Sequence, residues 1–176
     1  MIVVFASLST HAHSESSRAA LAGQCEENDM LTLKALVIDD SRVMRNMVMN
    51  ALRQSRLATF EFTEACDGAD ALTKFDPNTI DICFVDWNMP NMTGVEFIRQ
   101  ARARGNAFKV PMVMVTSEQT MAKIEEALSQ AGADAFICKP FTPDDMRVKL
   151  EKTIHKVTVA KTEPAEQEGF FSRLFS

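Results

Sequence analysis

The chain has 176 residues, enough for one domain of ordinary size and a tail but not for two full domains. With 46% apolar and 24% charged residues and only 6 Gly and 6 Pro, it is neither disordered throughout nor collagen-like. The balance of 19 Lys and Arg against 24 Asp and Glu, a net charge of −5, argues against DNA or RNA as a partner.

The opening MIVVFASL is apolar, yet no Lys or Arg precedes it as in a signal peptide. Residues 1–30 are therefore expected to be a disordered leader or an over-long start, with Met30 as the first residue. No apolar run approaches the roughly 20 residues that span a bilayer. From residue 31 strand-like runs alternate with helix-period segments, the pattern of an α/β doubly wound parallel sheet with five strands and five helices. The strands are predicted at 33–38, 59–65, 80–85, 110–115 and 134–138. Four are nearly continuously apolar, as buried parallel strands are, whereas the second, FEFTEA, alternates and suits an edge.

Between the strands, Val43, Met44, Met47, Val48, Ala51 and Leu52 are predicted to form one core-facing stripe. Met121, Ile124, Leu128 and Ala131 are predicted to form another, and Met146, Leu150 and Ile154 a third. Thr93 with Glu96 and Thr142 with Asp145 match capping boxes; Pro143 suits a first helical position and Gly132 a left-handed helix end. The domain is expected to cover residues 31–158. An acidic linker, TEPAEQEG, and an apolar tail follow it over 159–176. Phe170, Phe171, Leu174 and Phe175 share one face if that tail turns helical, which makes it a candidate docking peptide. Cys25, Cys66, Cys83 and Cys138 show no CxxC spacing and read as reduced core thiols of a cytoplasmic protein.

In a doubly wound sheet the ligand site lies beyond the carboxyl ends of the strands. There the sequence places Asp39 and Asp40 after the first strand, Asp86 after the third, Thr116 with Ser117 after the fourth, and Lys139-Pro140 after the fifth. Any one of these can be an ordinary cap or turn residue. Together they put about three negative charges and one positive charge on one rim, and a divalent ion would cancel the remaining charge of roughly −2. Hard oxygen donors without His or Cys point to Mg2+. A metal, a hydroxyl and an ammonium around a carboxylate nucleophile suit phosphoryl transfer. Trp87, the single tryptophan, immediately follows Asp86 and is expected to report on the site by its emission.

The motifs VIDDSR, FVDWNMP, MVTSE and AFICKPF, within about residues 31–156, resemble the receiver domain of two-component response regulators, and DWNMPNMTG resembles the chemotaxis type in particular. The resemblance implies a flavodoxin-like sheet of strand order 2-1-3-4-5 and a cis Lys139-Pro140 bond. It implies that Asp86 is the phosphoacceptor and Asp40 a direct metal ligand, that Asp39 acts largely through water, and that the Asn88 backbone carbonyl completes the Mg2+ shell. Thr116 and Lys139 would bind the phosphoryl oxygens, and Phe136, where many relatives carry Tyr, would be the aromatic switch residue paired with Thr116. Asn88 and Glu118 would set the lifetime of the phosphoryl group. The implied partners are a histidine kinase as donor, a phosphatase, and a protein target on the face of the fourth helix, fifth strand and fifth helix, with chemotaxis or flagellar motor control as the output. With so little chain after residue 158, output by protein contact rather than by a fused domain is expected. Two alternatives share these residues: a haloacid-dehalogenase-like Mg2+ phosphatase and a single-domain phosphorelay intermediate. The first fits poorly, because such enzymes carry Asp-x-Asp on strand one with the nucleophile first, whereas Asp39 and Asp40 are adjacent.

Overall fold

The structure, a computed structural model, describes residues 31–118 and 120–162. Five strands pair in parallel in the order β2-β1-β3-β4-β5. They are β1 (Thr32–Ile38), β2 (Thr59–Ala65), β3 (Ile82–Val85), β4 (Met112–Thr116) and β5 (Ala135–Cys138). The central strands β3 and β4 are buried along their whole length, so ICFV and MVMVT alternate nothing. The alternating FEFTEA does lie at an edge. There Phe60 and Phe62 stack at 5.6 Å on the covered side, and Glu61 and Thr63 face solvent.

Helices cover both faces of the sheet. They are α1 (Arg42–Ser55), α2 (Gly68–Lys74), α3 (Gly94–Arg102), α4 (Met121–Glu125, continued by a π turn over Glu126–Ala131) and α5 (Pro143–Thr162). One core joins Leu36, Ile38 and Met114 of the sheet to Phe97 and Ile98 of α3 and to Ala127 and Ala131. The other joins Leu33, Val37 and Phe84 to Leu52 of α1 and to Met146, Leu150, Ile154 and Val157 of α5. The helix signals act as expected. The Thr93 hydroxyl accepts from Glu96 N–H while Glu96 accepts from Thr93 N–H, and Thr142 and Asp145 exchange the same pair of bonds. Gly132 ends the π turn at φ 84°, and the Lys139-Pro140 bond is cis. Among the described residues no helix is long and apolar enough to cross a membrane.

Several expectations are corrected. Val43 and Met47 are exposed, at 68% and 48%, and Met49 joins Val48, Ala51 and Leu52 in the buried stripe. These two side chains lie to one side of the line that α1 presents to the sheet and α5. The stripe on α4 holds at Ala131, which is buried, but Met121 is 79% exposed and Leu128 is exposed, and Ala127 faces the core in place of Leu128. The π turn inserts an extra residue per turn and shifts the face that a 3.6-residue period selects. β3 and β4 begin two residues later than predicted. Ile80 N–H bonds back to Asp76 in a turn, and Val110 closes the 3-10 turn Gly105–Lys109 by its N–H to Ala107. Cys83 is buried and Cys138 half-buried, but Cys66 is exposed at the end of the edge strand, so it is no core thiol. α5 runs to Thr162, its last turn held by Lys161 on Asp81 and by the Thr162 hydroxyl on Thr158 rather than by apolar spacing. The leader with Cys25, and the tail residues Phe170, Phe171, Leu174 and Phe175, lie outside the described residues.

Candidate functional site

Parallel register decides what the strand ends bring together. Ile38 of β1 pairs with Val85 of β3, so the next residues, Asp39 and Asp86, emerge side by side. Thr116 of β4 pairs with Cys138 of β5, which sets Lys139 one step beyond the same edge. Its ammonium spans both carboxylates, with Nζ 2.6 Å from Asp39 Oδ2 and 2.7 Å from Asp86 Oδ1. The remaining oxygens accept from the backbone: Asp39 Oδ1 from Ser41 N–H at 2.9 Å, and Asp86 Oδ2 from Asn88 N–H at 2.8 Å.

Asp39, Asp86 and Thr116 are all buried. Burial pushes the Asp86 carboxyl above the ordinary aspartate value, and the Lys139 contact restrains that rise. For Lys139 burial works downward, but hydrogen bonds to Asp39 and Asp86 outweigh it and hold the ammonium above the usual lysine value. The Thr116 hydroxyl accepts from Glu118 N–H at 3.2 Å. Across the mouth, Asn88 Nδ2 donates to Glu118 Oε1 at 3.0 Å, which joins the two residues expected to flank the phosphoryl group. Phe136, two residues before Cys138 on β5, is half-buried against the core under α3 and α4.

Asp40 stands apart from this cluster, exposed to solvent. Among the described residues no three acidic, His or Cys groups stand close enough to hold a metal as they are. Chemically the donor set suits a hard divalent cation, since every candidate ligand is an oxygen and one ammonium faces the two buried carboxylates of Asp39 and Asp86. Each Asp39 and Asp86 oxygen accepts one hydrogen bond and keeps a further lone pair for a cation, while Asp40 is open to solvent.

Sequence reasoning missed four supporting residues. Ser41 holds Asp39 through its N–H and also caps α1. Arg45 donates from Nη1 to the Asp39 carbonyl at 2.8 Å and from Nε to Glu64 at 2.7 Å, tying the ends of β1 and β2 together. Gly94 packs behind Asp86 so tightly that a Cβ would come within 2.0 Å of the Asp86 carbonyl oxygen. The motif DWNMPNMTG ends on this glycine, a signal that was available. Lys123 sets its ammonium 4.4 Å from the centre of the Trp87 ring, and that ring is buried. No sequence period announces a contact between a helix residue and the loop after β3, so far apart in the chain.

The response regulator receiver domain family matches residues 35–151. The chain is 38% identical over 125 residues to the chemotaxis protein CheY of Pseudomonas aeruginosa, covering 71% of this chain and 98% of that one. It is 39% identical over 120 residues to the chemotaxis protein CheY1 of Helicobacter pylori, covering 68% of this chain and 94% of that one. Among solved structures, the chemotaxis protein CheY4 of Vibrio cholerae superposes with a TM-score of 0.60 at 34% identity, over 72% of this chain and 99% of that one. A CheY-like receiver domain protein from Methanospirillum hungatei superposes with a TM-score of 0.61 at 22% identity, a likeness of fold. A family match over well over half of the chain and relatives covered almost end to end agree with the strand-end residues and the strand order: the chain belongs to the response regulator receiver domain family.

Proposed function

We propose that this protein is a phosphorylation-activated switch of a two-component system, which takes a phosphoryl group from a histidine kinase onto Asp86 with Mg2+ and signals by protein contact in chemotaxis. The observation that carries the reading is the Asp86 carboxylate, buried at the strand ends and held 2.7 Å from Lys139 beside Asp39. One Asp86 oxygen attacks phosphorus; the new P–O bond forms as the P–N bond to the donor imidazole breaks, and the imidazole leaves with the electron pair and takes up a proton. Lys139, already cationic here, swings one N–H from a carboxylate to the incoming phosphoryl oxygens, and the Thr116 hydroxyl turns from Glu118 to another. Mg2+ held by Asp39, Asp40, Asp86 and the Asn88 carbonyl would neutralise charge on the transferring group.

Asn88 and Glu118, bonded to each other over the mouth, govern how water reaches the acyl phosphate and so its lifetime. Displacement of Thr116 frees space for Phe136 to move inward, which remodels the face of α4, β5 and α5 where a target protein binds. Met121 and Leu128 supply exposed apolar surface on that face. The reaction is stoichiometric, so the protein is a switch and not a multiple-turnover enzyme. Incubation with acetyl phosphate and Mg2+ should label one phosphate per chain; many turnovers on a generic phosphate ester would overturn the reading in favour of a phosphatase.

A further inference from the structure

α4 is attached to the molecule unevenly. Its C-terminal part buries Ala127 and Ala131, and the Gly132 carbonyl that follows accepts from Arg102 Nε at 3.0 Å and Nη2 at 2.9 Å. Arg102 is itself buried and donates to the carbonyls of Ala107 and Val110, so this end is fixed to α3 and to the entry of β4. The N-terminal part, Met121–Glu125, contains no buried residue. The C-terminal part is the π turn Glu126–Ala131, a break in the i→i−4 hydrogen-bond ladder of the kind at which helices kink.

What the N-terminal part does touch is Trp87. The Lys123 ammonium stands 4.4 Å from the ring centroid, and Lys123 forms no ion pair with a described residue. The ring is 4% exposed, so the cation meets a largely dehydrated π face, the setting in which this attraction is strongest. Trp87 directly follows Asp86, and the next residue, Asn88, bonds Glu118 in the loop that leads into α4. Two consecutive residues after the acceptor thus reach two points of the segment that enters α4.

We propose that Lys123 is a positioning residue that latches the first turn of α4 onto the acceptor strand through the face of Trp87, with the π turn as the hinge about which that turn swings when the latch opens. The consequence, that a change at Asp86 is passed to α4 through its neighbour Trp87, rests on the reading of Asp86 as acceptor; the latch does not.

The test compares the full chain with Lys123→Met, of similar length without charge, and Lys123→Arg, which keeps a cation. It reads hydrogen exchange at the amides of Ile124 and Glu126, which bond the carbonyls of Thr120 and Ala122. Without any phosphodonor, Lys123→Met should speed exchange there about 3- to 10-fold, and Lys123→Arg should stay close to wild type. Met exchanging like wild type, or Arg exchanging like Met, overturns the latch. With acetyl phosphate and Mg2+, exchange in wild type should rise toward the Met value and stay unchanged in Asp86→Asn. A wild-type chain that is phosphorylated with exchange unaltered overturns the coupling. Absence of phosphorylation overturns the acceptor reading instead, and the first comparison still decides the latch.

Discussion

Because Asp39 and Asp86 emerge side by side and both are buried, one ammonium has to serve two carboxylates, and Lys139 does so at 2.6 and 2.7 Å. The arrangement leaves Asp86 with a cost. Its carboxyl lies above the ordinary value in the folded chain, so the folded state holds a proton more tightly than the unfolded state does. Stability then falls as pH rises from the ordinary aspartate range to the raised one, and above it the cost is complete. Lys139 behaves oppositely: its contribution is whole below the ordinary lysine value and is lost as pH rises through its raised one. Asp86→Asn should therefore be more stable than wild type at neutral pH, with a margin that shrinks on acidification through the carboxylate range. Urea unfolding at several pH values measures this. That Asp39, Asp86, Thr116 and Lys139 lie at one edge of the sheet was legible in the sequence, because each directly ends an apolar run or follows its end; Asp40, read with them, stands apart and exposed. The Lys139 bridge was not legible, since it depends on the register between strands and on the reach of one side chain. Arg45 was hidden for the same reason, as its partner Glu64 lies on another strand.

Elements whose burial follows a regular period were read correctly, and the errors mark where the period breaks or its phase is ambiguous. Met146, Leu150 and Ile154 of α5 point inward as spaced. α1 carries apolar residues over more of its circumference than it buries, so the sequence could not tell Met47 from Met49. Val43→Ser and Met47→Ser should each change stability by within about 0.5 kcal/mol, whereas Leu52→Ala should cost about 2–5 kcal/mol. Thermal or denaturant unfolding distinguishes a surface stripe from a core one. In α4 the π turn shifts the buried face from Leu128 to Ala127, and no local propensity signals such a turn. Its exposed Met121 and Leu128 are then surface available to a partner, not misplaced core.

At the level of the molecule, the doubly wound architecture followed from the alternation of strand and helix segments, but the order β2-β1-β3-β4-β5 did not. Apolar runs show that strands are buried and not which neighbours they have; the order came with the resemblance and the pairing bears it out. That order gathers the chemistry at one edge of the sheet, where the loops after β1, β3, β4 and β5 meet. A ligand that binds there only in the folded state stabilises the whole fold. Mg2+ should accordingly raise the melting temperature of wild type in proportion to the logarithm of its concentration once the site fills. Asp40→Asn, which lacks one charged donor, should need more Mg2+ for the same rise, and a chelator should abolish it. An equal response of both proteins would remove Asp40 from the metal shell.

In the proposed function Asp86 is the residue that takes the phosphoryl group. Phosphoramidate, whose P–N bond imitates that of a phosphohistidine, offers the direct measurement: intact-mass and peptide-level detection of the acyl phosphate in wild type and in Asp86→Asn, with Mg2+ present. One phosphate per wild-type chain on the peptide that contains Asp86, and none on Asp86→Asn, is the expected result. Equal labelling of both proteins, or a phosphate on any other residue of wild type, would contradict it.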